Sequence, residues 1–165
     1  MTAPSLSRGA ALLLGAALAA CVQWERGGLF PPDRDEVHVE FFGNETFYRE
    51  VEFNLTEQVV AEIVSRPGLS LSSKETAEVI LTGRVVKVRQ NVLSEDPNQN
   101  VTNKSTTVTV VMEIWDAHTG RLIKSKRLSQ RGEFVPGRIQ DVDTGLVEAN
   151  RFLARDIVRE LERDF

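Results

Sequence analysis

The sequence predicts an α+β fold, a two-layer sandwich in which two amphipathic helices pack on one face of a mostly antiparallel sheet, in β-α-β-β-β-α order. Two segments repeat apolar residues at spacings of three and four, as a helix with one buried stripe does; several others alternate apolar and polar residues, as a half-buried strand does. The 165 residues, 41% hydrophobic and 27% charged, have the composition of one globular domain. Amphipathic helices need an apolar sheet face to cover, and two layers are the simplest packing that supplies one.

The first strand follows from Val37, Val39 and Phe41 alternating with His38, Glu40 and Phe42, and a loop with Gly43 and Asn44 is expected after it. Val51, Leu55, Val59 and Ile63 recur every fourth residue and define the first helix, which Arg66-Pro67-Gly68 ends. Its start is expected near Tyr48; Asn44 or Thr46 would cap an early start, and Asn54 with Glu57 three residues on would cap a later one. Residues 69–72 read as a short strand and 77–89 as a longer one, with Val79, Leu81, Gly83 and Val85 on one face. The doublet Val85-Val86 breaks that alternation and predicts a bulge.

Val108, Val110, Met112 and Ile114 alternate with Thr107, Thr109, Val111 and Glu113, making 105–115 the clearest strand. Residues 116–120, with Gly120 suited to a positive φ, turn the chain into a strand from Arg121 to about Glu133, and the pair is a hairpin. The polar stretch 91–104, NVLSEDPNQNVTNK, reads as a long loop. Leu146, Ala149, Leu153, Ile157 and Leu161 define the second helix, with Asp141 or Asp143 as its cap. Arg159 and Arg163 stand near its C-terminal end, three residues after Asp156 and Glu160.

Ahead of the domain at 36–165 lies a different kind of segment. The run AALLLGAALAA at 10–20 is uncharged and, at ~1.5 Å per helical residue, too short to cross a bilayer core of ~30 Å; after the basic Arg8 it reads as a secretory signal over 1–20. It ends in Leu18-Ala19-Ala20-Cys21, similar to the lipobox of bacterial lipoproteins, in which the cysteine is lipidated. Residues 21–35 carry Gly-Gly, Pro-Pro and mixed charges without an apolar period, and read as a tether reaching at most ~50 Å. Trp24, Leu29 and Phe30 within it pack on the domain or sit at headgroup level, and both readings stand.

The chemistry that the sequence excludes is broad. With 24 acidic and 20 basic residues the net charge is −4, so no bulk positive field exists to hold a nucleic acid. A lone cysteine forms no disulfide framework, and His38 and His118 lack partners at metal-ligand spacing. No nucleophile elbow, phosphate loop or dinucleotide fingerprint occurs, so neither catalysis nor a cofactor is expected. Basic residues nevertheless cluster: Arg84, Lys87 and Arg89; Lys124, Lys126 and Arg127; Lys104 and Arg138 in loops. Arg84, Lys124 and Lys126 are expected on the solvent face of the sheet, either as an ordinary wet face or as a local anion site suited to phosphate.

Taken together, the lipobox at Cys21, VHVEFFGNETFYREVEFNLTEQVVAEIV, AEVILTGRVVKV, VTVVMEIWDAHTGRLI and the closing helix resemble the LptE family of lipopolysaccharide-assembly lipoproteins over nearly the whole mature chain. The resemblance implies a plug-like position in an LptD-like outer-membrane β-barrel, help in delivering lipopolysaccharide, and an anchor in the outer membrane on its periplasmic side, consistent with Val22 rather than Asp after the cysteine. It also implies lipopolysaccharide contacts at Lys104 and Arg138; Glu95 and Asp96 depart from the pattern by placing charges that oppose a phosphate. A second reading is a regulatory or secretion lipoprotein resembling the penicillin-binding-protein activator or curli-assembly type.

Overall fold

The computed structural model describes residues 36–95, 97–98, 101–136 and 142–163; the signal, the tether with Cys21, and Arg138 and Asp141 lie outside them. Strands β1 (Glu36–Val39) and β2 (Gly43–Asn44) precede helix α1 (Val51–Val64). Strand β3 (Ser70–Leu71) follows, then the long strands β4 (Val79–Glu95), β5 (Val101–Asp116) and β6 (Leu122–Phe134), and helix α2 (Val142–Arg163). They form one sheet in the order β3-β1-β4-β5-β6, with β2 also against β4. Strand β1 is parallel to β3 and β4, because α1 intervenes as a crossover, whereas β4, β5 and β6 form an antiparallel meander. The α+β two-layer class holds, and the expected loop at Gly43 and Asn44 contains the added strand β2.

Both helices lie on one sheet face. Val51, Leu55, Val59 and Ile63 of α1 and Leu146, Ala149, Leu153, Ile157 and Leu161 of α2 bury against Val37, Val79, Leu81, Val85, Val108, Val110, Met112 and Ile114. One aromatic departs from the simple alternation: Phe42 is fully buried and Phe41 is exposed. β1 ends at Val39, and Phe42 then turns inward over Gly83, where an added Cβ would meet its ring at 2.9 Å. The missing side chain at Gly83 makes the space that Phe42 fills.

Helix α1 begins at Val51 rather than near Tyr48, because Asn44 organises the intervening loop. The Asn44 carboxamide oxygen accepts the Thr46 backbone N–H at 2.8 Å, and its nitrogen donates to the Tyr48 carbonyl and the Glu52 carboxylate, both at 2.7 Å. Glu50, at φ 64, then makes the left-handed step into the helix. Asn54, which could have capped a later start, lies inside α1 and accepts a hydrogen bond from buried Asn150 of α2; Asn150 also donates to the Val51 carbonyl at 3.0 Å. This polar clasp fixes the two helices against each other where unpaired polar groups would be costly.

Residues 91–95 and 101–104 of the expected loop are strand. β4 and β5 stay paired from Asn91↔Ser105 out to Glu95↔Val101, with register shifts around Ser94, and the Ser94 and Thr102 hydroxyls meet at 2.7 Å. No apolar period announces this outer ladder because no helix covers it, so neither of its faces selects apolar side chains.

At the other edge α2 lies directly on β6. A Cβ on Gly132 would fall 2.1 Å from the Gly145 carbonyl oxygen and 2.8 Å from the Ala149 nitrogen, both backbone atoms that cannot rotate away. Gly132→Ala is therefore expected to lower the unfolding free energy by about 3 kcal/mol. Gly43→Ala, whose nearest neighbour is at an ordinary 3.5 Å, should change it by under about 1 kcal/mol. Urea unfolding midpoints of the two variants check the contrast.

Candidate functional site

The sheet face opposite the helices is the site that the fold leaves open. On β5 this face carries Thr107, Thr109, Val111, Glu113 and Trp115, the alternates of the buried residues. The register places Arg84 opposite Val111, Lys87 opposite Thr109 and Arg89 opposite Thr107, so all three β4 cations share the open face. Strict alternation would have put Arg84 on one side and Lys87 and Arg89 on the other. The bulge at Val86, lying between the Val85 and Lys87 pairings, shifts the phase by one residue and unites them. Across β5, Arg127 stands opposite Val111 and Arg131 opposite Thr107, completing a two-sided basic row.

The charges in this row differ in how far they are already satisfied. Arg84 pairs with Glu45 at 3.1 Å and approaches Glu113 at 3.7 Å, and Arg131 reaches Glu133 at 3.4 Å. Lys87, Arg89 and Arg127 form no ion pair among the described residues. A chain of net negative charge thus holds uncompensated cations on one face, while toward the sheet's other end Ile80 and Trp115 line a shallow groove with Thr82 and the carboxylates Glu40, Glu113 and Asp116. The cation row suits an anion.

The structure does not bring every expected basic residue here. Lys124 and Lys126 face the helices, because they pair with Ile114 and Met112 of the buried face, and the expectation that they join Arg84 on the solvent face is wrong. Both donate to the Glu160 carboxylate of α2 at 2.8 Å, and Lys124 also reaches the Glu160 carbonyl. Lys104 likewise belongs to the helix side, opposite Phe134, and is separated from Arg84, Lys87 and Arg89 by the sheet. Arg163 near Glu160 and Arg159 near Asp156 form the pairs expected from their spacing. His38 approaches the Ser72 carbonyl and His118 lies in the β5–β6 turn; among the described residues no cluster of side chains could hold a metal ion.

Hydrogen bonds from Lys124 and then Lys126 hold the Glu160 carboxyl at a pKa of about 2, against the opposing effect of burial. A carboxyl depressed in the folded state adds stability that is complete above its ordinary value of 4.5 and is lost as pH falls toward about 2. Glu160→Gln is expected to be less stable than wild type at neutral pH, with the gap closing across that acid window. Thermal melts of both proteins as a function of pH measure it, and a gap that persists unchanged at the acid end would remove the ion-pair explanation.

The lipopolysaccharide-assembly family LptE matches residues 35–164. No curated protein matches the sequence. Among solved structures, the hypothetical protein CT253 from Chlamydia trachomatis superposes with a TM-score of 0.58 at 14% identity, over 78% of this chain and 96% of that one. A PelC dodecamer subunit from Paraburkholderia phytofirmans gives 0.55 at 15% identity, over 79% and 90%. The uncharacterized lipoprotein B from Nitrosomonas europaea gives 0.53 at 14% identity, over 84% and 88%. At such identities these structures share the fold alone, whereas the family match spans all of the described strands and helices: the chain belongs to the LptE family of lipopolysaccharide-assembly proteins.

Proposed function

We propose that the protein is an outer-membrane lipoprotein that helps deliver lipopolysaccharide to the cell surface as the plug-like partner of an LptD-like β-barrel. The family match over residues 35–164 carries this reading. In it, residues 1–20 are removed as a signal, Cys21 bears the lipid, 21–35 tether the domain, and 36–165 form the working unit on the periplasmic side of the membrane. Among the described residues no helix is long and apolar enough to cross a membrane, so the lipid at Cys21 would provide the attachment. Several acyl chains hold firmly where one holds marginally, since each buried CH₂ adds ~0.8 kcal/mol.

The role requires binding and positioning, not catalysis. Lipopolysaccharide presents phosphates, and the open face offers Arg84, Lys87, Arg89, Arg127 and Arg131 to meet them. Lys104, which the family resemblance singles out together with Arg138, would act apart from this row, because it lies across the sheet. Arg138 lies outside the described residues.

Purification of the tagged, lipidated protein in mild detergent is expected to recover an LptD-like barrel in about equal amount, and recovery of a cell-wall synthase or only further copies of the chain would overturn the plug reading. Lys87→Glu combined with Arg127→Glu removes two charge-assisted contacts of ~1.5 kcal/mol or more each, so lipopolysaccharide affinity should fall at least about a hundredfold. Unchanged affinity in a folded double variant excludes the open face as the anion site. Cys21→Ala is expected to move the protein from the membrane to the soluble fraction of cells that lack the barrel.

A further inference from the structure

The outer edge of β4 loses its neighbours halfway along. β1 pairs with Val79 to Leu81 and β2 with Arg84 and Val85, and the last bond on this side runs from the Glu45 N–H to the Val85 carbonyl at 2.9 Å. β4 nevertheless continues to Glu95. The direction of its free backbone groups follows from the pairing. The carbonyls of Leu81 and Val85 accept from Glu40 and Glu45 and so point away from β5. Past the Val86 bulge, Lys87 and Arg89 take the inward-bonding places opposite Thr109 and Thr107. Val88, Gln90 and Val92 therefore direct their N–H and C=O groups outward, a stretch of roughly 16 Å with its flanking residues, and no strand among the described residues meets them.

The side chains around this edge are sorted by face. On the open face stand Lys87 and Arg89, neither in an ion pair. On the helix side stand Val88, half-exposed Val92, and Tyr48, whose hydroxyl accepts a hydrogen bond from the Gln90 side chain at 3.2 Å. Fully exposed Phe47 lies in the loop that leaves the sheet after β2, the loop that Asn44 holds in shape. An aromatic held out by a hydrogen-bonded loop costs little ordering entropy when it is covered.

We propose that this edge accepts an extended segment of another polypeptide, taking the place that β2 vacates, with side chains alternating between carboxylates toward the open face and apolar groups toward Val88, Val92 and Tyr48. Main-chain bonds to Val88, Gln90 and Val92 give affinity, and the pairing of carboxylates with Lys87 and Arg89 gives selectivity. A second copy of the chain fits less well. Edge-to-edge pairing about a two-fold axis places Lys87 and Arg89 of both copies on one face, where like charges repel.

The test uses the full lipidated chain in detergent, with two synthetic probes: a seven-residue peptide alternating glutamate and valine, and its lysine-for-glutamate counterpart. The acidic peptide is expected to slow hydrogen exchange at the Val88, Gln90 and Val92 amides at least about tenfold while the basic peptide leaves them fast. The exposed double variant Lys87→Glu/Arg89→Glu should reverse that preference. Equal slowing by both peptides, or slowing by neither, overturns the proposal. Slowing without peptide that grows with protein concentration overturns it in favour of a second copy.

Discussion

One extra residue, Val86 in β4, sets the character of both sheet faces. Before it, Val79, Leu81 and Val85 point under the helices and Arg84 points away; after it, Val88 packs against the core and Lys87 and Arg89 join Arg84. A regular strand with this sequence would have driven two cations toward the apolar layer and turned Val88 into water, an arrangement that burial energetics forbid. The bulge is thus the means by which one strand serves a dry face and a charged face from Val79 to Arg89.

The second constraint is that coverage is one-sided. Both helices lie on the same face and are held there by different chemistry at their two ends. Buried Asn150 ties α2 to the start of α1 through Val51 and Asn54, and Glu160 near the other end of α2 receives Lys124 and Lys126 from β6. Between them, Gly132 and Gly145 let α2 approach β6 to backbone distance. On the helix side, Lys124 and Lys126 are consumed by Glu160 in holding the layers together. On the open face, Lys87, Arg89 and Arg127 form no ion pair among the described residues.

Much of this was legible in the residues. The stripe of Val51, Leu55, Val59 and Ile63, the strict alternation at 107–114 and the Val85-Val86 doublet predict α1, β5 and the bulge, because each rests on burial of one face. The outer β4–β5 ladder was illegible for the converse reason: no apolar side chain is buried in 91–95 or 101–104, so these segments carry no period to read. The basic cluster was half legible. Lys124, Lys126 and Arg127 look alike as neighbours, and a regular antiparallel count from the Trp115↔Leu122 pair would set Lys124 against Glu113 and Lys126 against Val111 on the open face; the irregularity between Ile114 and Trp115 shifts the phase by one residue and sets them against Ile114 and Met112 on the helix side. The same irregularity brings Arg127 and Arg131 to the open face, opposite Val111 and Thr107. Phe42 could not be found this way, since its inward turn depends on the space above Gly83, 41 residues away in sequence but adjacent in space.

The proposed role needs a rigid frame and a surface kept free for partners, and the separation of charges between the two faces provides both. The central claim is that the open face is that working surface, and lysine acetylation in native membranes examines it most directly. Lys87 is expected to be shielded in membranes that contain the partner and lipopolysaccharide, and to become reactive once the chain is purified alone, while Lys124, locked on Glu160, stays slow in both states. Lys87 reacting equally fast in both states would contradict the assignment of the open face as the surface that this protein works with.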